Sequence, residues 1–378
     1  MMLLEHEGKA LLRSVGVPVP GGAVIPADSD PESALRAIAP TFPVALKAQV
    51  EGGGRGKAGG VLRADDMDTA AAAAKTLFAS RFGGMVPRAL LVDPWVAFER
   101  ELYLSVTVDG AAEGYVVLYS PQGGVDIEDG PPPVRYPVGP AWRFRSHQLR
   151  AVLESVEPDF QLRERVISIA QRLVETAAAR DCTTIEINPL VRLPNSDLLA
   201  LDAKVVFDEW AHFRSEAIST LRADERARAD ALLRDCLEMQ HMYVPLDGDI
   251  GLISGGAGMT MAAMDLIQIM GGKPACFLDC SPGPTSTRGY RPAFAMLDAD
   301  PRVKAILVSV FGGGTQMQRV AKAMKENMEQ RTSSKPVVFR LDGTNVDQVP
   351  EIFATFGAFN HPRLEDAVKA VIEQARQA

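Results

Sequence analysis

The segment that decides the fold is residues 44–64, which read VALKAQVEGGGRGKAGGVLRA. A short apolar run that carries one lysine, Lys47, leads into a glycine-rich stretch, and a second strand-like run follows it. Six of the nine residues from 52 to 60 are glycines, and Arg55 and Lys57 add positive charge. Glycines let the backbone approach a ligand closely and point N–H groups at it, so this segment predicts a loop that holds phosphates.

Two better-known phosphate loops do not fit this segment. A Walker A loop needs a glycine where the chain has Glu51, and a serine or threonine where it has Ala58. A dinucleotide-binding fingerprint would be met by the glycine spacing, but a helix should follow at once, and residues 61–63 read as a strand. What remains is a glycine loop between two antiparallel strands that covers a nucleotide, with a surface hairpin that binds no ligand as the alternative.

Lys47 is the second unusual feature of this segment. An unpaired charge is costly to bury inside an apolar strand. The lysine either reaches an anionic ligand beneath the glycine loop or extends its ammonium group along the strand to the surface.

Polar side chains also interrupt an apolar strand further along the chain. Asn188 lies within IEINPLV, residues 185–191, and Asp202 follows it by fourteen residues. If the two runs pair as a hairpin, the two side chains lie side by side. Amide and carboxylate oxygens suit Mg²⁺, which takes few protein ligands. The alternative is a polar pair that stabilises a turn.

The pattern of apolar residues predicts an α/β protein of two domains, since 378 residues exceed one compact core. Residues 1–240 read as a mixed α+β domain that ends in a charged helical connector, 208–240. Residues 245–378 alternate apolar strands with helices, which is the rhythm of a doubly wound parallel sheet. Residues 129–140 are rich in proline and glycine and are interpreted as a loop.

Composition argues against several classes of protein. The net charge of −8 argues against a nucleic-acid partner. No run approaches the roughly 20 apolar residues that span a bilayer, and the N-terminus carries acids early, so we expect a cytoplasmic protein without a membrane partner. The cysteines form no CxxC pair and lack a zinc-finger spacing, which indicates reduced thiols: Cys182, Cys236, Cys276 and Cys280.

Together these motifs resemble, in collinear order over nearly the whole chain, the beta subunits of succinyl-CoA synthetase. Lys47 and the following loop resemble the family's lysine and GGRGKAGG. Further matches are residues 101–104 with KELYL, 123–128 with GGVEIE, 185–191 with IEINPLV, 201–204 with LDGK, 255–258 with NGAG and 311–314 with FGGI. The resemblance implies an ATP-grasp domain of two lobes followed by a flavodoxin-like CoA-ligase domain.

The resemblance also implies the residues of the site. Those expected to hold the phosphates of ATP are Lys47, Gly54, Arg55 and Gly56, and those expected along its base and ribose are Asp93, Val96 and Glu101. Those expected to bind Mg²⁺ are Asn188 and Asp202, and Glu186 would be catalytic by positioning the phosphoryl acceptor. Those expected near the acid and its phosphate are Gly255, Gly313, Gly314 and Thr315. The last three would start a helix whose N-terminus faces the phosphoryl group and which Thr315 could cap. Pro20 favours ATP over GTP.

A complete reaction would need a second polypeptide. In the family, phosphate passes from the nucleotide to a histidine of the alpha-type subunit and then to a small carboxylic acid. Coenzyme A, which binds mainly to that subunit, then displaces the phosphate from the acid. The histidines of this chain do not lie in a comparable glycine-rich loop: His6, His147, His212, His241 and His361. The covalent step therefore requires an alpha-type partner that carries the phosphorylated histidine.

Three positions depart from the family's pattern. Gly255 and Ser309 stand where the family has asparagines, and Cys280 begins a run that replaces glycines. A lost amide changes discrimination between acids, so a citrate- or malate-activating ligase of the same fold stays open. Candidates for holding extra carboxylates are Arg288, Arg291 and Arg340, with the alternative, favoured for each of them, that they are ordinary solvated arginines. Alternatives of other classes are a non-catalytic nucleotide-binding regulator and a nicotinamide dehydrogenase.

Overall fold

The computed structural model describes residues 1–51, 56–82, 85–124, 127, 130–280 and 286–378. Over these residues the chain divides into two compact units, Met1–Arg222 (unit 1) and Ala223–Ala378 (unit 2). Within the described residues, no helix has the length and apolar character to cross a membrane. The domain boundary that the sequence predicts between residues 240 and 245 stays a prediction.

Unit 1 contains helices and strands in mixed order. In chain order they are α1 (Glu5–Ser14), β1 (Ala23–Pro26), α2 (Pro31–Ile38), β2 (Val44–Gln49), β3 (Val61–Ala64), α3 (Met67–Ala79), β4 (Ala89–Pro94), β5 (Arg100–Asp109), β6 (Gly114–Ser120), β7 (Val134–Gly139), α4 (Ser146–Leu153), α5 (Phe160–Ala179), β8 (Cys182–Arg192), β9 (Leu198–Ala200) and β10 (Lys204–Phe207). Helix α6 (Glu216–Arg228) begins in unit 1 and ends in unit 2.

The first sheet of unit 1 has the strand order β1-β4-β2-β3, with every neighbouring pair antiparallel. Strand β2 is buried along its whole length. Leu46 packs in one core cluster with Leu35 of α2 and with Ala74 and Leu77 of α3. The chain therefore runs from β2 into an antiparallel strand, β3, as predicted, and the helix that a dinucleotide fingerprint requires does not follow the loop.

The second sheet of unit 1 has the order β10-β8-β5-β6-β7, and β9 also pairs with β8. Helix α5 covers it because its apolar residues recur at helical spacing, and Val166, Ala170 and Leu173 are fully buried. The side chain of Asp159 accepts a hydrogen bond from Leu162 N at 3.1 Å and so caps the first turn of this helix.

Unit 2 follows a regular alternation of strands and helices. Its elements are α7 (Ala231–Glu238), β11 (Met242–Pro245), β12 (Ile250–Gly255), α8 (Ala257–Ile269), β13 (Cys276–Asp279), α9 (Thr287–Ala299), β14 (Ala305–Gly312), α10 (Met317–Gln330), β15 (Val337–Gly343), α11 (Val349–Ala354) and α12 (Leu364–Gln377). The sheet order is β11-β13-β12-β14-β15, with an antiparallel edge strand β11 on otherwise parallel strands.

Both faces of this sheet are buried at its inner strands, β12, β13 and β14. Along β14, Ile306 and Val308 pack in the cluster that contains α9 and α10, and Leu307 between them packs in the cluster that contains α8 and α12. Successive side chains of a strand point to opposite faces, so a continuous apolar run serves two helical layers. The doubly wound α/β arrangement that the sequence predicts is confirmed.

The prediction of a loop over residues 129–140 is wrong in part, because Val134–Gly139 forms strand β7. This strand lies at the edge of its sheet and pairs with β6 alone among the described strands, so Pro137 needs no second neighbour. Tyr136 and Val138 are buried and anchor it. The sequence analysis also missed two further edge strands, β1 and β11, which are short.

Strand β5 offers a matched test of packing in unit 1. Val106 is fully buried and Val108 is 52% exposed on the same strand. We expect Val106→Ala to lower the free energy of unfolding by about 2 kcal/mol, because it leaves a cavity. Val108→Ala carries the same change in strand propensity, and we expect it to stay within about 0.5 kcal/mol of the parent. Urea unfolding of both variants checks this, and equal losses would contradict the packing described.

Candidate nucleotide site

Lys47 does not extend to the surface. It lies on β2, its residue is 9% exposed, and its Nζ lies 2.9 Å from Glu5 Oε1 and 3.0 Å from Asp93 Oδ2. Burial alone would lower the pKa of Lys47, but the carboxylates of Glu5, Asp93 and Asp202 outweigh burial and raise it above the ordinary value. The ammonium is therefore held in its charged form, as a phosphate ligand would require.

A second lysine completes the arrangement. Lys9 Nζ lies 2.7 Å from Glu5 Oε1 and forms an ion pair with Asp93 Oδ2. Glu5 and Lys9 are one helical turn apart on α1, on the face that also buries Leu12. We call Glu5, Lys9, Lys47 and Asp93 the buried ion cluster; each residue is less than 10% exposed.

The cluster contacts the second sheet through the backbone. Lys47 Nζ donates a hydrogen bond to the carbonyl oxygen of Leu201 at 2.7 Å. The next residue is Asp202, whose Oδ1 accepts a hydrogen bond from Ala203 N at 2.7 Å. The lysine of the first sheet therefore lies beside the carboxylate that the sequence analysis proposes for Mg²⁺.

The predicted hairpin around Asn188 and Asp202 is present. Strand β8 pairs antiparallel with β9, with Leu190 opposite Ala200, and pairs in the same register with β10, with Glu186 opposite Lys204. Continuing that register across the interruption between β9 and β10 puts Asn188 opposite Asp202. Leu201 N donates a hydrogen bond to Pro189 O at 3.1 Å, which continues the ladder of hydrogen bonds between the strands towards this point.

Asn188 is fixed by two backbone hydrogen bonds. Gly124 N donates to Asn188 Oδ1 at 2.6 Å, and Asn188 Nδ2 donates to Gly124 O at 3.1 Å. These bonds assign which amide atom is the oxygen. A side-chain Cβ at Gly124 would overlap Glu101 Oε2, and the φ of Gly124 is 93°, so a glycine is required here.

Glu186 lies on the same face of β8 as Asn188, because alternate residues of a strand share a face. Its Oε2 accepts a hydrogen bond from the hydroxyl of Tyr103 at 3.2 Å, and Ser105 of β5 is its register partner. Burial, together with the carboxylate of Glu186, raises the pKa of Tyr103 to about 12, so the hydroxyl remains a donor at neutral pH. The tyrosine thus orients the carboxylate.

The remaining predicted nucleotide residues have the following positions. Glu101 is half-buried at the start of β5, and burial raises the pKa of its carboxyl group. Val96 is half-buried beyond β4, and Gly56 is exposed in the turn before β3. Gly54 and Arg55 lie outside the described residues. Asp93 directs Oδ2 into the buried ion cluster, and its predicted role beside the base and ribose stays a prediction.

The donor set around Asn188 and Asp202 fits a magnesium ion. Within the described ranges, no group of three or more His, Cys, Asp or Glu side chains could hold a metal. Mg²⁺ does not need such a group, because it usually keeps several waters and takes one or two protein oxygens plus phosphate oxygens. An amide oxygen opposite a carboxylate, next to a lysine, supplies that chemistry.

In unit 2 the predicted acid-site residues lie at the carboxyl ends of parallel strands. Gly255 ends β12, and Gly256 N donates to Asp279 Oδ1 at 2.7 Å, with a φ of 101° at Gly256. Gly313 and Gly314 are exposed beyond β14. Ligands of open α/β sheets bind at this edge.

The prediction that Thr315 caps a helix start is wrong. Helix α10 begins at Met317 with Gln316 as its N-cap residue, and among the described residues no side chain caps it. The reason is packing, because the buried face of this helix begins at Met317, which is fully buried, and not at the glycines before it. Thr315 instead lies in the tight turn against Gly312.

A row of polar residues crosses this sheet. Asp279, Ser254, Ser309 and Arg340 are successive register partners on β13, β12, β14 and β15. Arg340 donates to Asp342 Oδ2 at 2.7 Å. The other two arginine candidates for binding carboxylates, Arg288 and Arg291, are exposed on α9. Of the run that begins at Cys280 and departs from the family's pattern, Ser281 to Pro284 lie outside the described residues.

Comparisons with known proteins identify the family of both parts of the chain. The family model of the ATP-grasp domain matches residues 2–192, and that of the CoA-ligase domain matches residues 253–373. Over its whole length the chain is 35% identical to the succinate–CoA ligase [ADP-forming] subunit beta of Desulfurococcus amylolyticus, covering 99% of that protein. It is 36% identical to the corresponding subunit of Natronomonas pharaonis, covering all of both chains.

The chain belongs to the family of ADP-forming succinate–CoA ligase beta subunits. Among solved structures, it is similar to an ATP citrate lyase from Methanothrix soehngenii in complex with citrate and coenzyme A, with a TM-score of 0.72 over 98% of this chain and 99% of that chain. At 16% identity that likeness shows a shared fold and no more. The resemblance proposed from the motifs, and with it the ATP-grasp and CoA-ligase architecture, is confirmed.

Glu5 and Lys9 were not among the site residues predicted from the sequence. Their signal was present, since both charges lie on the stripe of α1 that carries Leu12 and Gly8 towards the core. Charged residues on an apolar helical face are exceptional unless they are paired. The partners, however, come from β2 and β4, more than 35 positions away in the chain, and only folding reveals them.

Gly22 supports the buried ion cluster and provides a test of it. A Cβ at Gly22 would overlap Asp93 Oδ1 and lie 2.9 Å from Leu91 Cδ1, whereas a Cβ at Gly21 meets nothing within 4 Å. We expect Gly22→Ala to destabilise the protein by about 1–3 kcal/mol by displacing the aspartate, and Gly21→Ala to be near neutral. Urea unfolding of both variants measures this, and a Gly22 variant as stable as the Gly21 variant would contradict the position of Asp93.

Proposed function

We propose that this chain is the nucleotide-binding beta subunit of an ADP-forming acid–CoA ligase that activates succinate together with an alpha-type subunit. The observation that carries the proposal is the hydrogen bond from Lys47 to the Leu201 carbonyl, which sets a charged lysine beside Asp202. A lysine and a metal-binding carboxylate in one place are what phosphoryl transfer from a nucleotide needs. Membership of the two families supports the use of ATP and coenzyme A.

In the proposed mechanism the residues of unit 1 position ATP. Lys47, with Gly54, Arg55 and Gly56 of the glycine loop, binds the phosphates, while Asp93, Val96 and Glu101 line the base and ribose side. Asn188 and Asp202 would hold Mg²⁺, which neutralises charge on the phosphates when bound. Positioning and charge neutralisation are the main contributions a protein makes to phosphoryl transfer.

Glu186 would orient the group that accepts the phosphoryl. Its carboxylate is fixed by the hydroxyl of Tyr103, so it presents a defined acceptor rather than a mobile charge. The acceptor in our proposal is a histidine of the alpha-type partner, in line with the lack of a comparable histidine loop in this sequence. The phosphoryl then passes to the acid, and the thiol of coenzyme A displaces phosphate to give the acyl-CoA.

In unit 2 the glycines that follow β12 and β14 would approach the acid. Gly255 ends β12, and Gly313 and Gly314 are exposed beyond β14, so their backbone would face an anion at the strand ends, where one is favoured. Thr315 stays part of the proposed acid site as a residue of the turn. The predicted cytoplasmic location, the preference for ATP and the lack of nucleic-acid or membrane partners stay predictions.

Replacing Lys47 tests the nucleotide site directly. We expect Lys47→Met to weaken Mg-ATP binding by on the order of tenfold or more, because it removes a charge-assisted contact to phosphate. Asp202→Asn should weaken binding in the presence of Mg²⁺ more than in its absence. Titration calorimetry on the purified chain measures both. The control is Lys75→Met on the exposed face of α3, and wild-type affinity in the Lys47 variant would refute the site.

A panel of acids tests the substrate. With the cognate alpha-type subunit present, we expect kcat/KM for succinate to exceed that for citrate and malate. Formation of acyl-CoA and of ADP is measured separately, so that ATP hydrolysis without acyl transfer is recognised. A higher kcat/KM for citrate would show that the preferred substrate is a tricarboxylate and not succinate. Arg340 would then be the first residue to test for a contact with the additional carboxylate. Binding of ATP without any acyl-CoA from any acid would favour a regulator.

A further inference from the structure

The two lysines of the buried ion cluster share the same two oxygen atoms. Glu5 Oε1 lies 2.7 Å from Lys9 Nζ and 2.9 Å from Lys47 Nζ. Asp93 Oδ2 pairs with Lys9 and lies 3.0 Å from Lys47. Neither carboxylate therefore depends on one lysine alone.

The cluster is also balanced in charge. It contains two cations and two anions, and all four side chains are buried, where an uncompensated charge is strongly destabilising. Lys47 and Lys9 differ in one respect, because Lys47 also reaches Leu201 O beside Asp202, while Lys9 is 3% exposed and contacts only the cluster among its described ion-pair partners. Lys47 faces the nucleotide site, and Lys9 lies behind it.

A phosphate at Lys47 changes this balance. The ammonium of Lys47 already contacts Glu5, Asp93 and the Leu201 carbonyl, so a phosphate oxygen must weaken at least one of these contacts. Where the phosphate draws the ammonium away from the carboxylates, Glu5 and Asp93 lose part of their compensation. Those carboxylates are too buried to be compensated by water. Lys9 remains in contact with the same two oxygens when Lys47 turns away, so both carboxylates keep a partner.

We propose that Lys9 is a positioning residue for the nucleotide reaction, which holds the charge of Glu5 and Asp93 so that Lys47 is available to the nucleotide phosphates. This inference rests on the proposed function, because it needs Lys47 to bind phosphate. Lys9 itself does not touch the nucleotide. Without it, both carboxylates retain Lys47, and nucleotide binding competes with that attraction.

The first test is a pair of variants with opposite expected effects. Lys9→Met leaves two carboxylates to one lysine, and we expect the KM for Mg-ATP to rise on the order of tenfold, with a smaller change in kcat. Glu5→Gln keeps the shape of the side chain and removes one attraction on Lys47, so the KM should stay equal or fall. A merely structural ion pair would make both variants worse in the same direction, and that result would overturn the proposal.

The second test is a rescue by charge balance. The double variant Lys9→Met with Glu5→Gln again holds one cation and one anion, Lys47 and Asp93, and we expect it to recover most of the lost affinity. If Lys9 only stabilised the fold, the double variant would be no better than Lys9→Met. The control is Arg36→Met, which removes an exposed pair with Glu32 at the same helical spacing, and it should leave the KM unchanged.

The failure of this inference is distinguishable from the failure of the proposed function. If Lys47→Met binds Mg-ATP like the parent chain, the proposed nucleotide site is wrong. If Lys47→Met loses affinity while Lys9→Met keeps the parent KM, Lys9 has no positioning role and the nucleotide site stands. If Lys9→Met does not fold, the KM of Glu5→Gln decides, since a rise would overturn the proposal and an equal or lower value would support it.

Discussion

The structure of unit 1 depends on the burial of four charges in one place. Glu5 and Lys9 lie on a helix, and Lys47 and Asp93 lie on two strands of the first sheet. The second sheet contributes the Leu201 carbonyl at its edge. Separately, each of these charges would be too costly to bury. Together they compensate one another. Each carboxylate is shared by two lysines only where the helix packs on the first sheet, and the bond from Lys47 to the Leu201 carbonyl adds the second sheet to the same point.

That constraint also organises the chemistry of the site. The second sheet presents a polar face in which Glu186 and Asn188 alternate with the buried Ile185 and Ile187. The hairpin register brings Asp202 to the same place, and the contact with Lys47 links this face to the first sheet. A nucleotide bound there, as we propose, would meet a lysine from one sheet and the oxygens proposed to hold Mg²⁺ from the other, each already fixed by hydrogen bonds.

Unit 2 follows a different principle. Its inner strands, β12, β13 and β14, are buried on both faces, so side chains at their interiors serve packing, and the strand ends are left for function. Ser254, Ser309 and Arg340 form an exception inside the sheet, since they lie in one row with Asp279 near the carboxyl edge. Ser309, one of the two positions where the motif resemblance expects an asparagine, lies in this row, and Gly255, the other, follows Ser254 directly.

The resemblance of the motifs indicated the family. Three structural features were predicted from the residue pattern: the antiparallel strands on either side of the glycine-rich stretch, the doubly wound second unit and the hairpin that carries Asn188 and Asp202. These depend on local spacing, which a linear pattern records. It did not reveal that α10 begins at Met317, that a proline-rich stretch forms the edge strand β7, or that Lys47 is buried among Glu5, Lys9 and Asp93. Those features depend on which elements pack together, and partners distant in the chain are brought into contact only by the tertiary structure.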